Sequence, residues 1–156
     1  MGEVGEENMR QIPILEPDGS EPLAICRSYR SWMIDQYKDD AMAALWYYSD
    51  EPPVSDRDLE ADQKAKSHIR TCPMCRAWIH SAIPDNVMRR QQRLSRYCCA
   101  GMFVSTEEYE RYGRVRIFFE LFRGEDPCWF IDGIRTIISY CPWCGKKLPA
   151  KPFIEE

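Results

Sequence analysis

Two CPxC knuckles constrain this chain more than anything else in it. One closes the run His68-Ile69-Arg70-Thr71-Cys72-Pro73-Met74-Cys75. The other opens Cys141-Pro142-Trp143-Cys144-Gly145-Lys146-Lys147, with Cys98-Cys99 upstream. Two thiols separated by two residues converge on one ion, and an imidazole four residues before a thiol projects from the same side of a helix. Such groups suit tetrahedral Zn2+, so the sequence predicts two zinc sites and a fold built around them. The chain has eight cysteines in 156 residues, an acidic start (Glu3, Glu6, Glu7) and no apolar run behind it. That combination points to a reducing cytoplasm, where thiols take metal rather than pair.

The ligand sets are unequal in clarity. The second knuckle needs two further ligands for a closed site. Cys98 and Cys99 are the candidates, although a vicinal pair puts both sulfurs on one tetrahedron only against strain; Cys128 is the reserve. At the first knuckle His68, Cys72 and Cys75 make three. The fourth position is open between Cys26, His80, an acidic residue and water.

The rest of the chain reads as helices followed by strands, an α+β fold. Residues 1–19 form an acidic arm with little periodicity, expected to be flexible. Ser20-Glu21-Pro22 predicts a helix start, and Tyr29, Trp32, Met33, Tyr37, Ala41, Ala44, Leu45 and Tyr48 then line one face of a single long helix. Asp39 and Asp40 fall on its solvent side, and the prolines at 52 and 53 end it. Ser55 with Asp58 predicts a second helix carrying Ala61, Ala65, Ile69 and Cys72 on one face. Pro73 turns Cys75 back toward His68 and Cys72, a short helix resumes through Trp78 and Ile83, and Asp85 caps another over 86–97. From Cys98 the period shortens. Strands are predicted over 114–122, 129–131 and 134–140, with Asp132-Gly133 as a two-residue hairpin turn. The expected divisions are therefore an arm over 1–19, a helical zinc-binding region over 20–97, a zinc-ribbon-like antiparallel sheet over 98–149 and a tail over 150–156.

Cys98-Cys99-Ala100-Gly101-Met102, a hairpin with Trp, and then Tyr140-Cys-Pro-Trp-Cys-Gly-Lys-Lys-Leu148 resemble small zinc-ribbon proteins of bacteria and their phages. That resemblance implies a zinc-stabilised sheet and no activity. The run from Ala44-Leu45 through Leu59 to His68-Ile-Arg-Thr-Cys72-Pro-Met-Cys75-Arg76 is similar to zinc-binding anti-sigma domains, in which H-x3-C-x2-C lies between helices that wrap a sigma factor. The family's fourth ligand lies upstream and is usually a Cys. Here the one upstream cysteine, Cys26, is farther from His68 than the family places it.

No H-E-x-x-H, nucleophile elbow, phosphate loop or carboxylate dyad is present, so no catalytic residue is assigned. Cys141-Pro-Trp-Cys144 also resembles the dithiol of thioredoxin-like proteins, but Gly145, Pro149 and Pro152 deny it the helix that lowers such a thiol's pKa. No apolar run approaches the roughly 18 residues of a membrane span. Charge is segregated: residues 1–60 hold 5 basic and 14 acidic side chains, residues 61–156 hold 16 basic and 11 acidic. These features predict a small cytoplasmic zinc-binding interaction protein of bacterial or phage origin. It would bind a host protein or complex of the transcription or defence machinery and inhibit or modulate it. The cluster Trp32, Tyr37, Trp46, Tyr47 and Tyr48 reads as core with some surplus for a partner patch. Two alternatives remain: a nucleic-acid-binding zinc-ribbon regulator using Arg89, Arg90, Arg93 and Arg96, and a thiol oxidoreductase.

Overall fold

The computed structural model describes residues 11–50, 58–112, 115–133 and 136–155. Among them, six helices precede one three-stranded antiparallel sheet, so the fold is α+β with helices first. The chain divides into two compact units, Met1–Gln92 and Arg93–Glu156. The division falls inside a helix, five residues before the expected boundary at 97/98.

The first unit opens with α1 (Ala24–Gln36) and α2 (Asp40–Tyr48), two helices where the apolar stripe predicted one. Asp39 makes the break: it is extended, and its carboxylate accepts the Met42 N–H at 2.8 Å. A short acidic side chain that caps a new helix competes with continuation of the old one. Asp39 is thus a cap rather than a solvent-side ornament. The predicted start at Ser20 is also displaced. Ser20 donates its hydroxyl to Asp18 within a turn, and α1 begins after Leu23 with no side-chain cap.

In α3 (Leu59–Thr71), Asp58 accepts from the N–H groups of both Glu60 and Ala61; the expected start at Ser55 lies outside the described residues. Cys72 then ends α3 and begins α4 (Pro73–Ala82). Its N–H donates to His68 O at 2.8 Å, and its carbonyl accepts from Arg76 N–H at 2.9 Å. Pro73 sits at the first helical position, where no N–H is needed. α5 (Asp85–Leu94) follows.

Met33, Ala65, Ile69, Trp78, Ile79, Ile83 and Met88 form the core of this unit. Tyr37, Trp46 and Tyr47 are buried and Trp32 and Tyr48 half-buried, so most of the aromatic cluster is core. Tyr37 stacks on Trp46 at 5.2 Å, and both donate to the buried carboxylate of Asp62, at 2.7 and 3.0 Å. The Asp62 charge is thereby satisfied where an unpaired carboxylate would cost several kcal/mol. The expected flexible arm is packed from residue 11 on. Ile12 belongs to the core, and Trp78 donates its indole N–H to Pro13 O at 2.7 Å.

The second unit contains a helix the sequence did not announce, α6 (Ala100–Glu107). Gly101, Val104 and Thr106 are weak helix formers, and its apolar residues draw no clear stripe. Strands β1 (Ile117–Phe122), β2 (Asp126–Ile131) and β3 (Thr136–Ile138) pair in order. Ile117 and Phe119 face Ile131 and Trp129 across the first pair, and Trp129 faces Ile138 across the second. With Met102 and Leu148 these side chains make the core. Ile131 pairs with Thr136, so four residues rather than the expected two separate the paired positions of β2 and β3; residues 134 and 135 lie outside the described residues. The expected tail is part of this unit: Phe153 packs on Tyr97 and Trp129 at 4.8 and 5.3 Å, and Pro149 O accepts the Trp129 indole N–H.

Candidate metal centres

Each unit brings four metal-ligating side chains together. Cys26, His68, Cys72 and Cys75 form one group; Cys98, Cys99, Cys141 and Cys144 form the other. Within each group the ligand atoms all lie within 4.8 Å of one another. All eight cysteines are free.

The first group is assembled by three helices. Cys26 comes from α1, His68 from the last turn of α3, Cys72 from the α3–α4 junction and Cys75 from the first turn of α4. The kink at Pro73 is what lets the CPxC thiols meet the imidazole. Cys26 and Cys75 are buried, and His68 stacks on Tyr29 at 4.7 Å. Among the alternatives weighed for the fourth ligand, the fold brings in Cys26. His80 instead sits edge-on to Tyr47 at 5.7 Å, and no acidic side chain among the described residues joins the group.

The second group joins the segment before α6 to a knuckle at the end of the sheet. Tyr140 bridges Lys147, Cys141 N–H donates to Lys146 O, and Gly145 N–H donates to Cys141 O. Gly145 has φ 72°, the left-handed conformation that closes this turn, and a Cβ there would meet nothing within 4 Å. Its glycine therefore serves backbone conformation. A close approach is at Gly101, where a Cβ would lie 2.7 Å from the Trp143 ring. Both vicinal thiols join the group, Cys99 with extended backbone, so the expected strain does not exclude either. Cys128, the reserve ligand, is left on β2.

The geometry fits a metal. A tetrahedral ion with metal–sulfur bonds of about 2.3 Å places its sulfurs about 3.8 Å apart. Cys26 Sγ and Cys72 Sγ are 3.8 Å apart, and Cys99 Sγ and Cys141 Sγ are 3.6 Å apart. His68 Nε2 is buried with no hydrogen-bond partner, a cost that a coordinated ion would remove. Donor sets of three thiols with one imidazole, and of four thiols, are those of closed structural zinc sites. A bound ion would cross-link the segments that supply its ligands.

The thiols are electrostatically unequal. Burial pushes Cys75 up to about 12, although Arg30 opposes the shift. Burial also raises Cys26, Cys98 and Cys99. Cys72 is lowered, chiefly by the backbone N–H of Cys75. At Cys141 burial acts upward, but the N–H groups of Cys144 and Trp143 and the neighbouring thiols bring it down to about 7. In both knuckles the first cysteine is the one whose thiolate the backbone stabilises.

Sequence reasoning missed Arg30. It is fully buried and donates its Nε–H to Cys75 Sγ at 3.4 Å. Cys26 and Arg30 are four apart, so both lie on one face of α1, and that spacing was the available signal. The arginines proposed for nucleic acid sit differently. Arg93 makes a bidentate pair with Glu107 at 2.7 and 2.8 Å, Arg89 pairs with Asp85, and Arg96 is exposed. No helix among the described residues is long and apolar enough to cross a membrane. Comparison with known protein families, curated proteins and solved structures finds no match to this chain.

Proposed function

We propose that this chain is a zinc-held interaction protein. It binds a protein or complex of a bacterial host, in the transcription or defence machinery, and inhibits or modulates it. The reading is supported by one observation above all: each unit gathers four protein ligands, a complete tetrahedral set. Four protein ligands leave no open position for a substrate, which separates structural from catalytic zinc. Zinc fixes the shape of each unit, and the surface does the binding. Tyr140 and Trp143 are exposed beside the second group, and the first 60 residues carry the acidic excess. The likeness of the knuckles to zinc-ribbon and anti-sigma proteins supplies the choice of host machinery. Cytoplasmic location follows from the same reading, since reduced thiols are what the two groups need.

Two measurements test it. Metal analysis of the purified chain is expected to give two zinc ions; one or none overturns the two-site version. Binding to purified bacterial RNA polymerase, with and without its sigma subunit, is expected to persist when Cys128 is replaced and to vanish when zinc is removed. Insulin reduction by the metal-free protein would replace this reading with thiol catalysis. Salt-dependent duplex binding that is lost on neutralising Arg89, Arg90 and Arg96 would replace it with nucleic-acid recognition.

A further inference from the structure

We infer that Arg30 couples metal occupancy at the first group to the docking of residues 11–18, so that this segment is held down only while the metal is in place. The inference rests on the zinc reading above. The Arg30 guanidinium is engaged on three sides. Its Nε–H reaches Cys75 Sγ at 3.4 Å, its Nη1–H reaches Ile14 O at 3.2 Å, and its Nη2–H reaches Glu16 Oε1 at 2.8 Å. It lies 4.8 Å from the Trp78 ring centroid, and Trp78 in turn donates its indole N–H to Pro13 O. Ile12 enters the core beside them. One buried cation thus serves a ligand sulfur and the N-terminal segment at the same time.

A guanidinium is a rigid planar fork, so fixing one N–H direction fixes the others. A metal holds Cys75 Sγ in place, and the sulfur holds the fork so that its other two arms meet Ile14 and Glu16. Losing the metal frees the Cys75 side chain to turn about its Cα–Cβ bond, and the fork loses its anchor. The coupling is reciprocal by thermodynamic necessity: whatever docking the metal supplies, docking returns as metal affinity. Arg30 is a positioning residue here, acting on the metal through Cys75.

The test uses the full chain, loaded with zinc, and a Glu16→Ala variant that keeps every ligand and Arg30. Hydrogen exchange of the Trp78 indole N–H reports whether the segment is docked. E16A is expected to keep two metals and to speed that exchange on the order of tenfold, the loss of one charged hydrogen bond. It should also yield metal to a chelator more readily by a similar factor at the His-containing group alone. Cobalt-loaded protein separates the two groups by their spectra, since one has an imidazole and the other does not. Unchanged indole exchange together with unchanged chelator competition in E16A overturns the coupling. So does a metal-free wild type in which α3 and α4 stay protected and the indole N–H stays slow. If chelation unfolds the whole unit, the metal-loaded E16A chain decides. A wild type that takes up no metal at the His-containing group removes the zinc reading, and the coupling falls with it.

Discussion

Cys144 is exposed but sits among three other thiols, whereas Cys128 is half-buried on β2 opposite Glu120. Exposure alone would rank them wrongly as ligands; geometry ranks them by company. Cys144→Ser is expected to halve the zinc content and to cost several kcal/mol, since structural zinc contributes roughly 10 kcal/mol or more. Cys128→Ser should keep both metals and shift the melting temperature little, checked by metal analysis alongside thermal melts. The two glycines of the second site fail differently. Gly145→Ala forces a side chain into the left-handed region, at about 1 kcal/mol. Gly101→Ala drives a methyl group into the Trp143 ring, so the fluorescence of Trp143 should change along with stability. At this scale the sequence was informative where chemistry is local. The spacing of His68, Cys72 and Cys75 announces one ligand set, and Cys141 with Cys144 announces half of another. Cys26 and the Cys98–Cys99 pair could be nominated but not placed, because their partners lie more than forty residues away and only the tertiary fold chooses among candidates.

Among the elements, helix boundaries carry the sharpest lesson. The stripe from Tyr29 to Tyr48 is real at Met33, Tyr37 and Ala44, but it runs over two helices because Asp39 caps the second. A periodicity argument sees the face and overlooks the interruption, since a cap costs the stripe nothing. Asp39→Ala and Asp58→Ala are each expected to destabilise the first unit by about 1 kcal/mol, measured by denaturant melts. Charge reversal at Asp39 should therefore lower the melting temperature as well as alter any partner binding, and the two effects must be measured together. β1 and β2 were legible from alternation around Phe119 and Trp129. α6 was not, since Gly101, Val104 and Thr106 form a helix only where Met102 has a core to enter. The arm and tail escaped for a similar reason: Ile12 and Phe153 lie in short apolar stretches beside prolines, whose packing no period reveals.

For the molecule as a whole, protons and metal compete. The thiols of Cys26, Cys75, Cys98 and Cys99 are raised by burial, with Cys75 near 12, so the metal-free chain holds them protonated at neutral pH. A metal ion binding these thiols must displace those protons. Uptake is expected to release acid into weakly buffered solution, and apparent affinity should fall as pH is lowered. The metal-free fold has the opposite dependence. A thiol whose pKa is higher folded than unfolded adds stability that is fully present below about pH 9 and is lost as pH rises toward 12. Denaturant melts of the apo protein between pH 8 and 11 should show that decline; a flat profile would mean that the buried thiols are hydrated.

The sulfur pairs described above also have a topological meaning. Cys26 and Cys72 are 46 residues apart in the chain, and Cys99 and Cys141 are 42 apart. An ion joining such positions closes a loop in the denatured ensemble much as a covalent bridge would, which for this length removes entropy worth about 4 kcal/mol. Unlike a bridge, this closure needs no oxidant and can be undone by a chelator. With an ion in each group the protein would have the cross-linking of an extracellular scaffold in a form that a reducing compartment tolerates, and its stability would follow the supply of free metal.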